Sequence, residues 1–84
     1  MKYKINQRVL INIPVKFTGA MSGEEMLVES NGYQFWVHKS VVKNNNQVYG
    51  LGTIKQVYNG FYKVQIFDFE EPFDCKEEYL SANF

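Results

Sequence analysis

Apolar residues recur at every second position along most of the chain, and a period of two predicts strands with one buried face. From Ile5 to Phe17 the odd positions Ile5, Val9, Ile11, Ile13, Val15 and Phe17 are apolar, while Asn6, Arg8, Asn12 and Lys16 fill even ones. That stretch reads as one long strand. Pro14 falls on its polar side, where a missing N–H is tolerated at a sheet edge or bulge, so the strand is expected to bend or change partner there. Thr18 to Gly23 reads as a loop, Glu25 to Ser30 as a second strand and Tyr33 to His38 as its return. Asn31-Gly32 joins the two, and Asn-Gly signals a hairpin because a type I′ turn needs positive φ at both central residues. Lys39 to Val42 suits a single helical turn, and the polar run Lys43 to Gln47 reads as a linker.

The same order then repeats. Gly52 to Tyr58 is expected as a strand, Asn59-Gly60 as a second hairpin turn, and Phe61 to Phe69 as the return, with Tyr62, Val64 and Ile66 on one face. Asp68 to Pro72 turns the chain, Phe73 to Lys76 allows a short strand, and Glu77 to Leu80 suits another helical turn. The two Asn-Gly pairs stand 28 residues apart, a spacing compatible with a duplicated hairpin unit and equally with incidental reuse of a common turn. Five or six short strands without sustained helical periodicity predict an all-β fold, either a small antiparallel barrel or a strongly bent sheet. At 84 residues the chain buries only about 60% of its unfolded surface. A single domain, 1–84, is therefore expected, with the two hairpin units as sub-units 1–42 and 48–84.

The second half carries a family resemblance. Gly52-Thr53-Ile54-Lys55-Gln56-Val57-Tyr58-Asn59-Gly60-Phe61-Tyr62-Lys63-Val64-Gln65-Ile66, followed by Phe73-Asp74-Cys75 and Glu78-Tyr79-Leu80, resembles the strand, hairpin, strand, turn order of SH3-like barrels of the Tudor type. The resemblance spans residues 52–80 and implies an SH3-like five- to six-stranded barrel. The aromatic cage those domains build around a methylated side chain has no residue-by-residue counterpart here, so no ligand is implied.

Charge changes the picture more than composition does. Nine Lys plus Arg balance nine Asp plus Glu, which disfavours a broad basic surface of the kind that binds nucleic acid. Along the chain the balance separates: residues 1–67 hold eight basic and three acidic side chains, and residues 68–84 hold Asp68, Glu70, Glu71, Asp74, Glu77 and Glu78 against Lys76. This acidic lobe is either a docking surface for a basic protein or a solvated segment that keeps its aromatic neighbours soluble. Trp36 is the other candidate. If Tyr33, Phe35 and Val37 face the core, then Gln34, Trp36 and His38 face outward, and an exposed tryptophan between polar neighbours suits an anchor for a partner. The alternative packs Trp36 beneath a loop. Phe61, Phe67 and Phe69 form a row opposite Tyr62, Val64 and Ile66, to be read as a second core face or as a contact seam.

Catalytic chemistry finds no support. His38 and Cys75 are single copies with no acid partner at a recognisable spacing, and the six glycines form no phosphate-binding pattern. No catalytic residue, metal ligand or cofactor is expected, and one cysteine with no signal-like or membrane-spanning run points to a reducing cytoplasm without membrane attachment. Lys over Arg and the abundance of Asn resemble small phage or mobile-element accessory proteins of low-GC Gram-positive bacteria. The expected function is a non-enzymatic protein-binding module, of which an inhibitor that docks on a host protein is one form. Two alternatives stand: single-stranded nucleic-acid binding by lysines beside Trp36, Tyr33 or Phe61, and a homodimer or larger homo-oligomer built on an edge strand Ile5 to Phe17.

Overall fold

The computed structural model describes residues 2–83. Nine strands and two short 3-10 turns make up the regular structure of these residues, so the fold is all-β. The strands are β1 Arg8–Pro14, β2 Lys16–Ser22, β3 Glu25–Ser30, β4 Tyr33–His38, β5 Val42–Lys43, β6 Gln47–Val57, β7 Phe61–Gln65, β8 Phe73–Lys76 and β9 Leu80–Ala82. The 3-10 turns are Lys39–Val41 and Glu77–Tyr79. One sheet runs in the order β8-β7-β6-β1-β9 with β5 added to β6, and the other in the order β2-β3-β4. The first path starts and ends on different strands, so its hydrogen-bond ladder does not close into a barrel, and of the two expected architectures the bent sheet is the compatible one.

The chain divides into two compact units whose boundaries are nested rather than consecutive: Met1–Ile11 with Gly50–Phe84, and Asn12–Tyr49. They follow other boundaries than the two hairpin units expected from the repeat. In the first unit Tyr3, Val9, Ile11, Ile54, Tyr62, Val64, Phe73, Cys75 and Leu80 are buried. In the second, Ile13, Val15, Met26, Val28, Phe35, Val37, Val41 and Val48 are. Each fully buried Val or Ile contributes roughly 1.5 to 3 kcal/mol by leaving water, and it is the period of two that brings them to one face. Gly52 lies where a Cβ would stand 2.5 Å from Ile11 Cδ1 and 2.9 Å from the Gln65 carbonyl oxygen, so β6 approaches its neighbours closely only because that side chain is absent.

Several expectations hold closely, and others are corrected. The strands Glu25–Ser30, Tyr33–His38 and Phe73–Lys76 fall as expected, and Asn31 and Gly32 both take positive φ, 54° and 79°, as a type I′ turn requires. The long strand from Ile5 to Phe17 does not exist as one element. Ile5 lies in a turn and is 57% exposed, β1 starts at Arg8, and the chain breaks at Val15 just after Pro14. Nor is it an edge: β1 sits between β6 and β9. The expected loop Thr18 to Gly23 is mostly strand β2, and its small residues accommodate an irregularity between Phe17 and Met21 where Gly19 reaches φ 95°.

The expected linker Lys43 to Gln47 is a tight hairpin. Asn44 and Asn45 take φ 54° and 58°, Asn46 N–H donates to the Lys43 carbonyl at 3.1 Å, and β6 begins at Gln47, earlier than its apolar pattern suggests. Asparagine tolerates this left-handed conformation better than other side-chain-bearing residues, so the triple-Asn run is turn chemistry. At the second Asn-Gly only Gly60 has positive φ, 90°, so it is not a type I′ turn. β7 ends at Gln65, which leaves Phe67 and Phe69 in the following turn and dissolves the expected phenylalanine row.

Candidate docking surfaces

The register of the β3–β4 hairpin decides what surrounds Trp36. A two-residue turn fixes Ser30 opposite Tyr33, and every pair behind it follows: Glu29 with Gln34, Val28 with Phe35, Leu27 with Trp36, Met26 with Val37 and Glu25 with His38. Val28, Phe35, Met26 and Val37 are buried, so the alternate set faces away from the core. Trp36 is 41% exposed and Gln34 is exposed, as the outward reading requires. Adding β2, which places Lys16 against Glu29 and Ser22 against Glu25, completes the outer face. Its centre is the apolar pair Leu27 and Trp36, bounded at one end by Lys16, Glu29 and Gln34 and at the other by Ser22, Glu25 and His38. Leu27 was not among the residues singled out from sequence, although the turn alone sets its position opposite Trp36.

Beyond that face the chain is pinned by polar contacts. Lys39 N–H donates to the Glu24 carbonyl at 2.8 Å, and Lys39 Nζ pairs with Glu24 Oε2 at 2.8 Å. The hydrogen bond and charge of Lys39 hold the Glu24 carboxyl below the usual carboxylate range. His38 Nδ1 lies 2.8 Å from Ser40 Oγ and accepts from Ser40 N–H at 3.2 Å, which caps the 3-10 turn. The imidazole thus has a structural task.

The acidic lobe belongs to the other unit, and its six carboxylates are not alike. Asp68, Glu71 and Glu78 are exposed. Asp74 accepts from Lys63 Nζ at 2.8 Å across the β7–β8 pair. Glu77 Oε1 accepts from Tyr62 OH at 2.5 Å. Glu70 is only 8% exposed, so it does not present a solvated charge as the sequence reading supposed. Within the same unit Lys2, Lys4, Arg8, Lys55, Lys63 and Lys76 balance the lobe, so folding remixes charges that the sequence separates.

Tyr62 is the centre of a partly buried network that sequence reasoning treated only as core. Its hydroxyl accepts from Lys2 N–H at 3.1 Å and Tyr3 N–H at 3.2 Å while donating to Glu77. Tyr3 packs edge-on against the Tyr62 ring, centroids 5.6 Å apart, and donates its own hydroxyl to the Leu80 carbonyl at 3.1 Å. Burial and the Glu77 hydrogen bond raise the Tyr62 pKa above its ordinary value, and the same bond holds Glu77 low.

Two aromatic stacks lie elsewhere in this unit. Tyr58 stacks on Phe61 with centroids 4.7 Å apart, and Phe67 on Phe69 at 5.2 Å, with Phe69 72% exposed. Cys75 is buried, and burial pushes its thiol up to about 12, so it stays protonated at neutral pH. Among the described residues no group of three or more His, Cys, Asp and Glu is arranged to hold a metal ion, and no helix is long and apolar enough to cross a membrane. No family model matches the chain, and neither a curated protein nor a solved structure matches it.

Proposed function

We propose that this chain is a non-enzymatic protein-binding module and that its contact surface is the outer face of the β2–β3–β4 sheet, centred on Trp36. The observation that carries this reading is the pairing of half-exposed Trp36 with Leu27 inside a polar rim of Lys16, Glu29, Gln34, Ser22, Glu25 and His38. Interfaces concentrate binding energy in a central aromatic that the partner desolvates, while the surrounding polar residues exclude water. A tryptophan held by cross-strand packing also loses little rotamer freedom on binding.

The exposed carboxylates Asp68, Glu71 and Glu78 are a second, electrostatic surface for a partner with a basic patch, and they act mainly on association rate and salt dependence. Lys over Arg and the abundance of Asn support an origin in a low-GC bacterium or one of its phages, and the partner within this proposal is a host protein inhibited in the host cytoplasm. Nucleic-acid binding draws less support: Lys63, on the sheet face that also carries Phe61, is engaged by Asp74, so cations and carboxylates alternate beside that aromatic.

Affinity capture from a low-GC Gram-positive lysate, quantified by mass spectrometry, tests the reading. A partner retained by the wild type is expected to fall at least about tenfold with Trp36→Ala, the loss typical of a central anchor. Recovery of the same proteins in equal amount by both chains overturns the assignment of the site.

A further inference from the structure

The β2–β3–β4 sheet has two edges, and they differ in kind. β2 is interrupted by its irregularity between Phe17 and Met21 and carries Lys16, both devices that discourage pairing with another strand. β4 has neither. Its six residues, Tyr33-Gln34-Phe35-Trp36-Val37-His38, keep unbroken register with β3 and include no Asp, Glu, Lys, Arg or Pro. Ser30 and Tyr33 flank the two-residue turn as a hydrogen-bonded pair. By the antiparallel alternation Val28–Phe35 and Met26–Val37 are bonded as well, while the residues between direct their N–H and C=O groups away from β3. The bond from Lys39 N–H to the Glu24 carbonyl continues the same alternation. Gln34 and Trp36 therefore aim their backbone polar groups at the side of β4 that pairs with no strand among the described residues, and both residues are exposed.

We infer that β4 pairs with β4 of a second copy of this chain, antiparallel about a twofold axis at Trp36. The second copy is the fitting occupant because the strand is symmetric in character about that residue. Phe35 and Val37 flank it as buried apolar positions, and Gln34 and His38 lie beyond as polar ones. With the axis at Trp36, the Trp36 N–H of each copy donates to the Trp36 carbonyl of the other. Phe35 then meets Val37, and Gln34 meets His38. No like charges are brought opposite each other, a penalty that self-pairing of a charged edge would incur. The product is one six-stranded sheet whose outer face carries two adjacent tryptophans. This pairing uses the strand that bears the proposed contact surface but does not depend on the heterologous partner.

Sedimentation equilibrium between about 10 µM and about 1 mM tests it. The wild type is expected to move from monomer to dimer across that range. Trp36→Lys places two ammonium groups at the axis, and Gln34→Pro removes an outward N–H that β3 does not use; each is expected to weaken the dimer about tenfold or more while the circular-dichroism spectrum stays that of a β protein. A wild type that is monomeric at every concentration, or a dimer that either folded variant leaves intact, overturns the inference. If a variant unfolds, hydrogen exchange at the Trp36 amide of the wild type decides: slowing with concentration supports the pairing, and exchange independent of concentration overturns it. Sedimentation and amide exchange of the wild type are read with no partner present, so their outcome is independent of partner capture and separates failure of this inference from failure of the proposed function.

Discussion

Tyr62 and Trp36 sit on strands of similar pattern, each within a few residues of an Asn-Gly turn, and the protein treats them oppositely. Tyr62 is fully buried and its hydroxyl gathers Lys2 N–H, Tyr3 N–H and Glu77 into one network. Trp36 stands half exposed with an apolar residue opposite and polar residues around it. The difference arises from parity. Tyr62 shares its face with Val64, both without solvent exposure, whereas Trp36 falls between Phe35 and Val37 and is turned outward by their burial. One aromatic is committed to holding the chain together, and the other stands partly in solvent.

Truncating the buried member is expected to have the largest effect. Tyr62→Ala removes a fully buried ring and leaves its hydrogen-bond partners unsatisfied, so urea denaturation should show a loss of about 3 to 5 kcal/mol. Gly52→Ala follows. The added Cβ collides with Ile11 and with the Gln65 carbonyl oxygen, and backbone cannot yield as a side-chain tip does, so a loss of about 1 to 3 kcal/mol is expected by thermal or urea unfolding.

Tyr62→Phe keeps the packing and removes only the hydroxyl, with an expected loss of about 1 to 3 kcal/mol. It should also alter the pH profile. Glu77 is held below its ordinary value of 4.5, so its contribution is present above that pH and lost as pH falls through the lower folded value. Tyr62 is raised above 10.0, so its contribution is present below that pH and lost as pH rises through the higher folded value. Urea midpoints of the wild type should thus decline at both extremes, more steeply than those of Tyr62→Phe. Equal slopes would mean that the Tyr62–Glu77 bond is absent in solution. The smallest effect on stability belongs to Trp36→Ala, about 0.5 to 1 kcal/mol from lost cross-strand packing. A loss as large as that of Tyr62→Ala would make Trp36 a core residue and remove the contrast.

Much of this was legible in the sequence, unevenly. At Asn31-Gly32 the strands and the turn followed, and burial of Phe35 and Val37 was the condition on which an outward Trp36 rested, with packing beneath a loop left open; Tyr33, grouped with them by parity, is exposed because it sits beside the turn. Strands with few apolar residues escaped: β2, with Thr18-Gly19-Ala20, looks like a loop because an exposed edge needs no hydrophobic alternation. The turn Asn44 to Asn46 was hidden because a polar run looks the same in a linker as in a hairpin. Charge misled for a different reason. Lys63 and Asp74, and Glu77 and Tyr62, are distant in sequence and meet only through strand pairing, so a lobe that looks uniformly acidic along the chain is half engaged once folded. Glu70, buried at the end of that turn, carried no signal that separated it from its exposed neighbour Glu71.

The central claim is that Trp36 serves contact and Tyr62 serves stability. The most direct test is the amount of partner captured per folded molecule by Trp36→Ala and by Tyr62→Phe, under conditions where urea titration shows both more than nine-tenths folded, a margin that corresponds to roughly 1.3 kcal/mol or more of remaining stability. The account predicts capture reduced at least about tenfold for Trp36→Ala and unchanged for Tyr62→Phe. Equal capture by wild type and Trp36→Ala, or a loss shared equally by the two variants, would contradict it.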